Sequence, residues 1–391
     1  MGLGLLLLLA WGLSVDRRAV AWRVVVWGVA LQLIFALFIL KSPIGTATFD
    51  VLNGVVLALL SYMEQGARFI FGNLVFNAVP VGEGPVGNGD FTPTGPVANT
   101  GAFFAFYVLP TIIFFSSLMT LLYHLGVMQA VVKGCAWVMQ RTMGTSGAET
   151  LSAAGNIFVG QTEAPLLIKP FIERMTMSEL MAVMTGGFAT VAGGVLAAYV
   201  GMLAGVFPDI AGHLMAASVM SAPAALVVAK LMYPETEHSE TAGTLEVDVE
   251  RPDVNVVEAA ARGAGEGLHL ALNVGAMLLA FIGLVYLFNG VLGWAGGLVG
   301  VEGLTLEGIL GFVLAPLAWI MGVSWADAAT VGSLLGVKTV LNEFVAYLQL
   351  SNMISGVGAL SPRSAIIATY ALSGFANFSS IAIQIGGIGG I

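Results

Sequence analysis

Long apolar stretches, separated by short polar segments, recur along almost the whole chain. Seven of them approach the roughly 20 residues that a helix needs to cross a bilayer. They lie at 2–15, 20–40, 102–125, 178–207, 211–233, 266–292 and 364–386. Because lipid offers backbone groups no water, a spanning segment must satisfy its own hydrogen bonds as a helix or within a closed barrel. The pattern therefore predicts an all-α polytopic membrane protein.

The composition supports a chain in contact with lipid and excludes one class of partner. Hydrophobic residues make up 58% of the chain and charged residues only 9%, the balance of a protein whose solvent is mostly the bilayer. The net charge is −9, and no run of Lys and Arg is available to neutralise phosphates. We therefore expect a lipid bilayer as partner and no nucleic acid.

Basic residues predict the orientation of the spans. Arg17, Arg18 and Arg23 lie between the first two spans, so the positive-inside rule places them in the cytoplasm and the N-terminus in the periplasm. Alternating sides along the chain leaves ten of the 14 Lys and Arg residues inside and four outside, which supports the assignment. Residues 234–255 carry seven acids and one Arg without apolar periodicity, which predicts a flexible cytoplasmic loop.

Two polar segments each place one carboxylate in otherwise apolar sequence. Glu163 lies within NIFVGQTEAP and Glu343 within TVLNEFVAY. A carboxylate at membrane depth costs about 2.5–3.5 kcal/mol even on lenient insertion scales, so it usually faces a cavity with a polar partner. The pair predicts a solute pathway, with ion pairs to Lys169 and Lys338 as the structural alternative.

An internal repeat links these two segments. MGTSGAET at 143–150 matches MGVSWADA at 321–328, and each match is followed by a carboxylate segment and then by a span that contains Gly-Phe-Ala. Three predicted crossings, 102–125, 178–207 and 211–233, precede the second copy, and an odd number sets the copies in opposite orientations. Such an inverted-topology repeat is typical of secondary transporters, whose binding groups lie near the midplane on broken helices.

Helix-breaking residues predict interruptions inside both copies. Gly155, Gly160 and Pro165 bracket the first carboxylate, and adjacent glycines and β-branched residues weaken a helix at 190–194. The equivalent stretch of the second copy is Asn-Phe-Ser-Ser at 377–380. Unwound carbonyl oxygens suit a hard cation such as sodium, and a half-helix N-terminus suits partial negative charge. We expect two discontinuous helices beside two re-entrant hairpins.

The segments that are too polar or too short to cross complete the predicted organisation. They are interpreted as interfacial helices and re-entrant hairpins at 46–76, 126–143, 147–172, 306–321 and 325–352. The chain is predicted to begin with N-terminal scaffold helices, an interfacial helix and an external hairpin loop (1–125). The first repeat (126–233) contains hairpin 1 at 147–172, a broken span at 178–207 and a span at 211–233, and an acidic loop follows it (234–255). The second repeat (256–391) contains a span at 266–292, an interfacial helix at 306–321, hairpin 2 at 325–352 and a broken span at 364–386.

Two other function classes find less support in the chain. A channel has no need for two hairpin tips that close on one solute. An enzyme needs a nucleophile and a base, and the chain contains neither GxSxG nor HExxH. The GxGxxG pattern within GEGPVGNGD (82–90) follows no predicted strand and opens no helix, so we interpret it as a turn or hairpin. The four His residues lack the spacing of metal ligands.

Four motifs resemble those of the concentrative nucleoside transporters: NIFVGQTEAPLL, TVAGGVLAAY, LNEFVAY and GFANFSSIAI. The resemblance spans nearly the whole chain and implies a homotrimer in the bacterial inner membrane, with a scaffold and a moving, elevator-like transport domain in each protomer. It implies uptake of nucleosides of the uridine, cytidine and adenosine class by cation symport. The chain stops at GGIGGI, where the family has one more transmembrane helix, so we expect the sequence to be truncated.

The resemblance also implies roles for individual residues. The nucleobase contacts correspond to Gln161, Thr162 and Glu163, with Val195 packing beside them. The ribose-binding set corresponds to Glu343, Asn377 and Ser380, and the aromatic contact beside sugar and base to Phe375.

A sodium site is implied in the same way. Its ligands correspond to Asn156, Val159, Thr190 and Val191. Thr190 replaces the serine of the family and keeps the hydroxyl. In the alternative, a proton-coupled transporter, Glu163 or Glu343 would carry the proton.

Overall fold

A computed structural model describes residues 2–76, 78–83, 92–99, 104–161, 163–243, 253–355 and 360–388. Almost all described elements are helical. In chain order the helices are α1 (Gly2–Gly12), α2 (Trp22–Lys41), α3 (Pro43–Phe71), α4 (Leu109–His124), α5 (Val127–Met143), α6 (Gly147–Gly155), α7 (Lys169–Ile172), α8 (Met177–Ala189), α9 (Gly193–Leu203), α10 (Ile210–Met232), α11 (Val256–Leu298), α12 (Leu306–Ile320), α13 (Trp325–Val340), α14 (Glu343–Ser355), α15 (Pro362–Leu372) and α16 (Phe378–Ile388).

Two short strands accompany the helices. β1 (Ala78–Glu83) and β2 (Thr92–Asn99) pair antiparallel, with Ala78 opposite Asn99. Most of the segment predicted as a turn or hairpin, 82–90, lies outside the described residues.

Six helical segments of the described chain are long and apolar enough to cross a bilayer, which agrees with the predicted multi-pass fold. They are Trp22–Ile39, Pro43–Val75, Phe104–His124, Met177–Leu203, Ile210–Met232 and Val256–Leu298. A further pair, α12 and α13, passes the same criterion together but is bent by 117°. The sharp bend fits the predicted interfacial helix followed by hairpin 2.

The segment 46–76 corrects one sequence-based exclusion. The sequence predicts it to be too polar or too short to cross, yet residues 46–71 lie within the 29-residue helix α3, and the helical segment Pro43–Val75 is long and apolar enough to do so. The exclusion on length is therefore wrong. The distribution of basic residues still favours an interfacial α3, since one more crossing would move most Lys and Arg after it to the outside.

The element order of the first repeat recurs in the second. α5, hairpin 1 and the broken helix α8–α9 correspond to α12, hairpin 2 and the broken helix α15–α16. The membrane-crossing segments between the two hairpins are the broken helix α8–α9, α10 and α11. The three crossings counted from the sequence, 102–125, 178–207 and 211–233, are therefore not the right set. The number remains three, so the inverted relation between the copies is unchanged.

The half-helix α9 lies at the centre of the main hydrophobic core. Its residues Tyr199 and Leu203 are fully buried and share one cluster with Ile112 of α4 and Tyr347 of α14. The ring of Tyr199 packs on Phe344 and Tyr347, with centroid distances of 4.8 and 4.5 Å. This packing holds the tip of hairpin 2 against the end of the first broken helix.

The acidic segment 234–255 is a second correction, because its described part packs against the helices. Thr241 is buried, and its carbonyl accepts a hydrogen bond from the Gly147 backbone N–H at the start of α6, at 2.9 Å. The hydroxyl of Ser239, also buried, donates to Glu179 of α8 at 2.5 Å. Ser239 and Thr241 therefore anchor this part of the predicted flexible loop to α6 and α8; residues 244–252 lie outside the described part.

A buried ion pair anchors hairpin 1 to α10. The Lys230 ammonium lies 2.7 Å from a carboxylate oxygen of Glu149, with side chains only 5% and 2% exposed. The same ammonium donates to the Ser178 hydroxyl at 2.9 Å. The Lys230 ammonium near the end of α10 therefore contacts residues near the starts of both α6 and α8.

We expect Lys230→Met to destabilise the protein by about 3–5 kcal/mol, because the Glu149 carboxylate would remain buried without its counter-charge. The double variant Lys230→Met/Glu149→Met should recover most of that loss. Thermal unfolding in detergent measures both. The matched control is Arg174→Met, which breaks an exposed pair with Glu240 and should cost about 1 kcal/mol or less. Equal losses at both positions would contradict the structural role of the buried pair.

Candidate functional site

Both hairpin tips and both helix breaks meet at one cavity of about 470 Å³. Its volume lies within the roughly 300–1,000 Å³ of small-molecule sites. Seven of the eight predicted substrate residues line it: Gln161, Glu163, Val195, Glu343, Phe375, Asn377 and Ser380. The eighth, Thr162, lies outside the described residues. The opposite wall is the middle of α11, which contributes Leu270, Asn273, Val274, Ala276 and Met277.

Glu343 is buried at the start of α14, where the chain turns at the tip of hairpin 2. One carboxylate oxygen accepts from the Tyr199 hydroxyl at 2.9 Å, and the other accepts from the Asn377 side-chain amide at 2.8 Å. The helix N-terminus adds backbone dipoles that favour negative charge. The carboxylate is thus held by both repeats and still lines the cavity.

Asn377 connects this carboxylate to the second helix break. Its side-chain oxygen accepts from the Ser380 backbone N–H at 2.8 Å and from the Ser379 hydroxyl at 2.6 Å. An asparagine just before a helix satisfies the free N–H groups of the first turn, so it fixes where α16 begins. The same side chain therefore ends the break and orients the Glu343 carboxylate.

Gln161 at the tip of hairpin 1 is held by two residues of α16. Its amide donates to the Ser380 hydroxyl at 3.2 Å, and its carbonyl oxygen accepts from the Gln384 amide at 3.1 Å. Gln384 is fully buried and also donates to the Met184 carbonyl at 3.1 Å. A side chain at Gly187 would lie 2.4 Å from the Gln384 amide nitrogen, so only glycine leaves room for this contact.

Gln384 and Asn273 are two lining or positioning residues that the sequence analysis missed. Each is a single amide in an apolar run, IAIQIGG for Gln384 and ALNVGAM for Asn273. A lone amide in a membrane helix is usually a packing group, so only proximity to the cavity distinguishes these two.

We expect Gln384→Leu to change the ranking of nucleobases, because Gln161 would lose the donor that fixes its amide. The effect on each substrate should be about two- to tenfold, the size of one net hydrogen bond. Competition for uptake among uridine, cytidine and adenosine measures the ranking. The control is Gln65→Leu, an exposed glutamine of α3. A uniform loss for all three substrates would indicate a structural role for Gln384 only.

Glu163 lies at the tip of hairpin 1, with its carboxylate folded back over Gly160. A side-chain atom added at Gly160 would come within 2.1 Å of a Glu163 carboxylate oxygen. Ion pairing with Lys169 or Lys338, the structural alternative, is absent among the described residues. Lys338 instead donates to the Ala371 carbonyl at 3.0 Å, at the end of the half-helix α15.

The four predicted sodium ligands lie where the tip of hairpin 1 meets the first helix break. Asn156 follows α6, Val159 is in the tip, and Thr190 and Val191 separate α8 from α9. The Gly193 backbone N–H donates to the Phe158 carbonyl at 2.9 Å and joins the tip to the break.

The Asn156 side chain is fully buried, yet neither its oxygen nor its nitrogen has a hydrogen-bond partner among the described residues. Burying an amide without a partner is costly, so the unpaired oxygen indicates a ligand. An amide oxygen beside unwound backbone carbonyls is an oxygen donor set of the kind that hard cations prefer. These residues therefore fit a sodium ion as a transported species.

Three family models match successive parts of the chain. The models described as "Na+ dependent nucleoside transporter N-terminus", "Nucleoside recognition" and "Na+ dependent nucleoside transporter C-terminus" match residues 1–74, 105–205 and 213–391. Together they cover most of the sequence.

Individual relatives and a solved structure agree with these matches. Sodium/nucleoside cotransporter 1 of Mus musculus is 43% identical over 99% of the chain and 57% of its own length, so the chain spans little more than half of that relative. An uncharacterized transporter of Haemophilus influenzae is 45% identical over 100% of the chain and 88% of its own length. The solved structure of CNTnw in an inward-facing substrate-bound state superposes with a TM-score of 0.86 at 41% identity, covering 99% of this chain and 87% of that one.

Proposed function

This chain belongs to the family of Na+ dependent nucleoside transporters, and we propose that it carries nucleosides such as uridine across the membrane in symport with sodium. The observation that carries the proposal is the cavity between the hairpin tips, where Glu343 and Asn377 of different elements present one shared polar surface. The family is one of transporters, in agreement with the prediction that the chain is not an enzyme.

We assign recognition of the ribose to Glu343, Asn377 and Ser380. A carboxylate and an amide accept from and donate to adjacent hydroxyls, and both side chains are already fixed by hydrogen bonds within the protein. An analogue that lacks one ribose hydroxyl leaves a buried polar group unpaired, at a cost of about 1–3 kcal/mol. Selectivity for the sugar should therefore exceed selectivity for the base.

The base is assigned to the tip of hairpin 1. Gln161 presents an amide that Ser380 and Gln384 hold in place, and Glu163 lines the same wall. An amide can donate to one base and accept from another, so this end of the site accommodates several nucleobases. Val195 and Phe375 supply the apolar part of the wall.

A structural element that the two sites share supports the proposed sodium coupling. The hairpin 1 tip carries the cation ligands Asn156 and Val159 at one end and the base contact Gln161 at the other. A cation that fixes the tip against the first helix break would also place Gln161 for the nucleoside. Binding of the two solutes would then be mutually favourable, as reciprocal coupling between sites requires.

An elevator-type movement agrees with the composition of the cavity walls. The hairpins and broken helices supply nearly all polar groups, whereas the α11 wall is apolar except for Asn273. A transport unit of these elements could therefore carry its substrate contacts along an apolar scaffold surface without breaking hydrogen bonds to it. Assembly as a homotrimer in the bacterial inner membrane, with a periplasmic N-terminus, belongs to the same proposal.

Uridine accumulation in proteoliposomes tests the proposed function. An inward sodium gradient should concentrate uridine above equilibrium, and an inward proton gradient without sodium should not. Accumulation under protons alone would move the coupling role to Glu163 or Glu343 and overturn the sodium assignment. Equilibration without accumulation under either gradient would indicate a channel.

A further inference from the structure

A second cavity, here called the vestibule, adjoins the substrate cavity. It has a volume of about 260 Å³ and lies between α4, α11 and the tip of hairpin 1. Four residues line both cavities: Gly160, Glu163, Ala192 and Leu270. The vestibule therefore continues the substrate cavity past the Glu163 side chain, toward the end of α11 that contains Arg262. The distribution of basic residues places this end of α11 on the cytoplasmic side.

Three polar atoms of the vestibule wall are buried without a hydrogen-bond partner among the described residues. They are the Tyr123 hydroxyl, Nδ1 of His124 and the side-chain oxygen of Gln129. Gln129 is held in place by its amide, which donates to the Tyr123 carbonyl at 2.5 Å. Since buried polar groups are nearly always paired, three unpaired atoms on one wall point to a polar ligand.

The remaining surface of the vestibule defines the chemistry of that ligand. Phe158, Met119 and Leu167 supply apolar area that suits the face of a planar ring. The unpaired wall atoms can both donate and accept hydrogen bonds, as the edges and hydroxyls of a nucleoside require.

Charges at the outer end of the vestibule disfavour an anionic ligand. Arg262 makes a two-bond ion pair with Asp253, both bonds 2.8 Å, and contacts Glu266 at 2.6 Å. Two carboxylates against one guanidinium leave this end net negative. Because the Arg262 guanidinium already engages two carboxylates, few of its N–H donors are left to bind a phosphate. A neutral nucleoside is therefore favoured over a nucleotide.

We propose that the vestibule is a second, weaker nucleoside site through which the substrate passes between the Glu343 cavity and the cytoplasm. This inference rests on the proposed transport function and extends it with a defined release step. As the ribose leaves Glu343, the base or sugar can pair with Tyr123 and Gln129 before it reaches water. The volume, somewhat below the roughly 300–1,000 Å³ of dedicated ligand sites, suits brief occupancy that extends into the shared space.

Equilibrium binding of radiolabelled uridine to the full chain in phospholipid nanodiscs, with saturating sodium, tests the vestibule. We expect a tight and a weak component for the wild-type chain. Glu343→Gln should remove the tight component and leave the weak one. In that background, Tyr123→Phe and Gln129→Leu should each weaken the remaining binding about two- to tenfold, the effect of one net hydrogen bond. Uridine 5′-monophosphate should not compete for the weak component.

The matched control is Tyr62→Phe, the same atomic change at a tyrosine of α3 that is 66% exposed. It should leave the weak component unchanged, and thermal unfolding midpoints check that every variant is folded. A Glu343→Gln chain that binds no uridine up to millimolar concentration would overturn the vestibule while leaving the proposed function intact. Residual binding that Tyr123→Phe and Gln129→Leu do not weaken would overturn it as well. A wild-type chain that binds no nucleoside would overturn both proposals.

Discussion

Glu343→Gln is expected to abolish uptake of uridine, cytidine and adenosine alike, with a loss of at least about 100-fold, or roughly 2.7 kcal/mol. The Glu343 carboxylate accepts from Tyr199 with one oxygen and from Asn377 with the other. A glutamine amide has only one accepting atom, so its NH₂ group would face one of these two donors. The substitution is nearly isosteric, so the fold should persist while the ribose loses its charged acceptor.

Uptake of the three nucleosides into proteoliposomes measures this effect, with two comparison variants. Glu302→Gln makes the same change at an exposed carboxylate and should have no effect. Gln161→Ala should alter the ranking among the bases instead of abolishing all uptake, because Gln161 lies at the hairpin 1 end of the cavity. Equal, base-independent losses from Glu343→Gln and Gln161→Ala would contradict the separate roles for sugar and base.

Asn156→Leu is expected to remove the sodium dependence of uptake and of stability together. The Asn156 amide is fully buried and unpaired among the described residues, so an apolar side chain of similar volume should leave stability without sodium unchanged or higher. Sodium at about 100 times its Kd should stabilise the wild-type chain by about 2.7 kcal/mol and the variant hardly at all.

Thermal unfolding in sodium chloride and in choline chloride measures the difference between the two chains. The control variant Asn352→Leu changes an exposed asparagine of α14 and should retain the sodium response. A variant at Asn156 that is still stabilised by sodium would place the cation elsewhere. A variant that is destabilised without sodium would show that the amide has a structural partner.

The contrast between these two substitutions reflects two kinds of buried polar group. Glu343 is satisfied by protein donors before any substrate arrives, so its replacement disturbs an existing network. Asn156 is unsatisfied among the described residues, so its replacement removes only what a ligand would use. Stability measurements without ligand therefore separate the two roles independently of transport.

The described structure also shows where pattern-based reasoning goes wrong. Segment 46–76 contains polar residues at intervals, yet residues 46–71 belong to one long helix, because a few charges on a helix surface do not interrupt its backbone hydrogen bonds. Residues 234–243 have the composition of a solvated loop, but Glu179 and the free backbone groups of α6 hold Ser239 and Thr241 in place. Composition reports the average environment of a segment and not its individual partners.

The sequence by itself determined the multi-pass helical fold, the two interruptions and the two carboxylate segments. These depend on local chemistry: whether a stretch is apolar enough for lipid, and whether its residues can continue a helix. Only the tertiary structure decided which polar groups pair with the residues that line the cavity. Gln161 and Gln384 are 223 residues apart, and Tyr199 and Glu343 are 144 apart. The unpaired atoms at Asn156 and in the vestibule can likewise be recognised only in the folded structure, which shows which buried groups have no partner. Pairing between residues so far apart in sequence depends on how the helices pack and not on the neighbouring sequence.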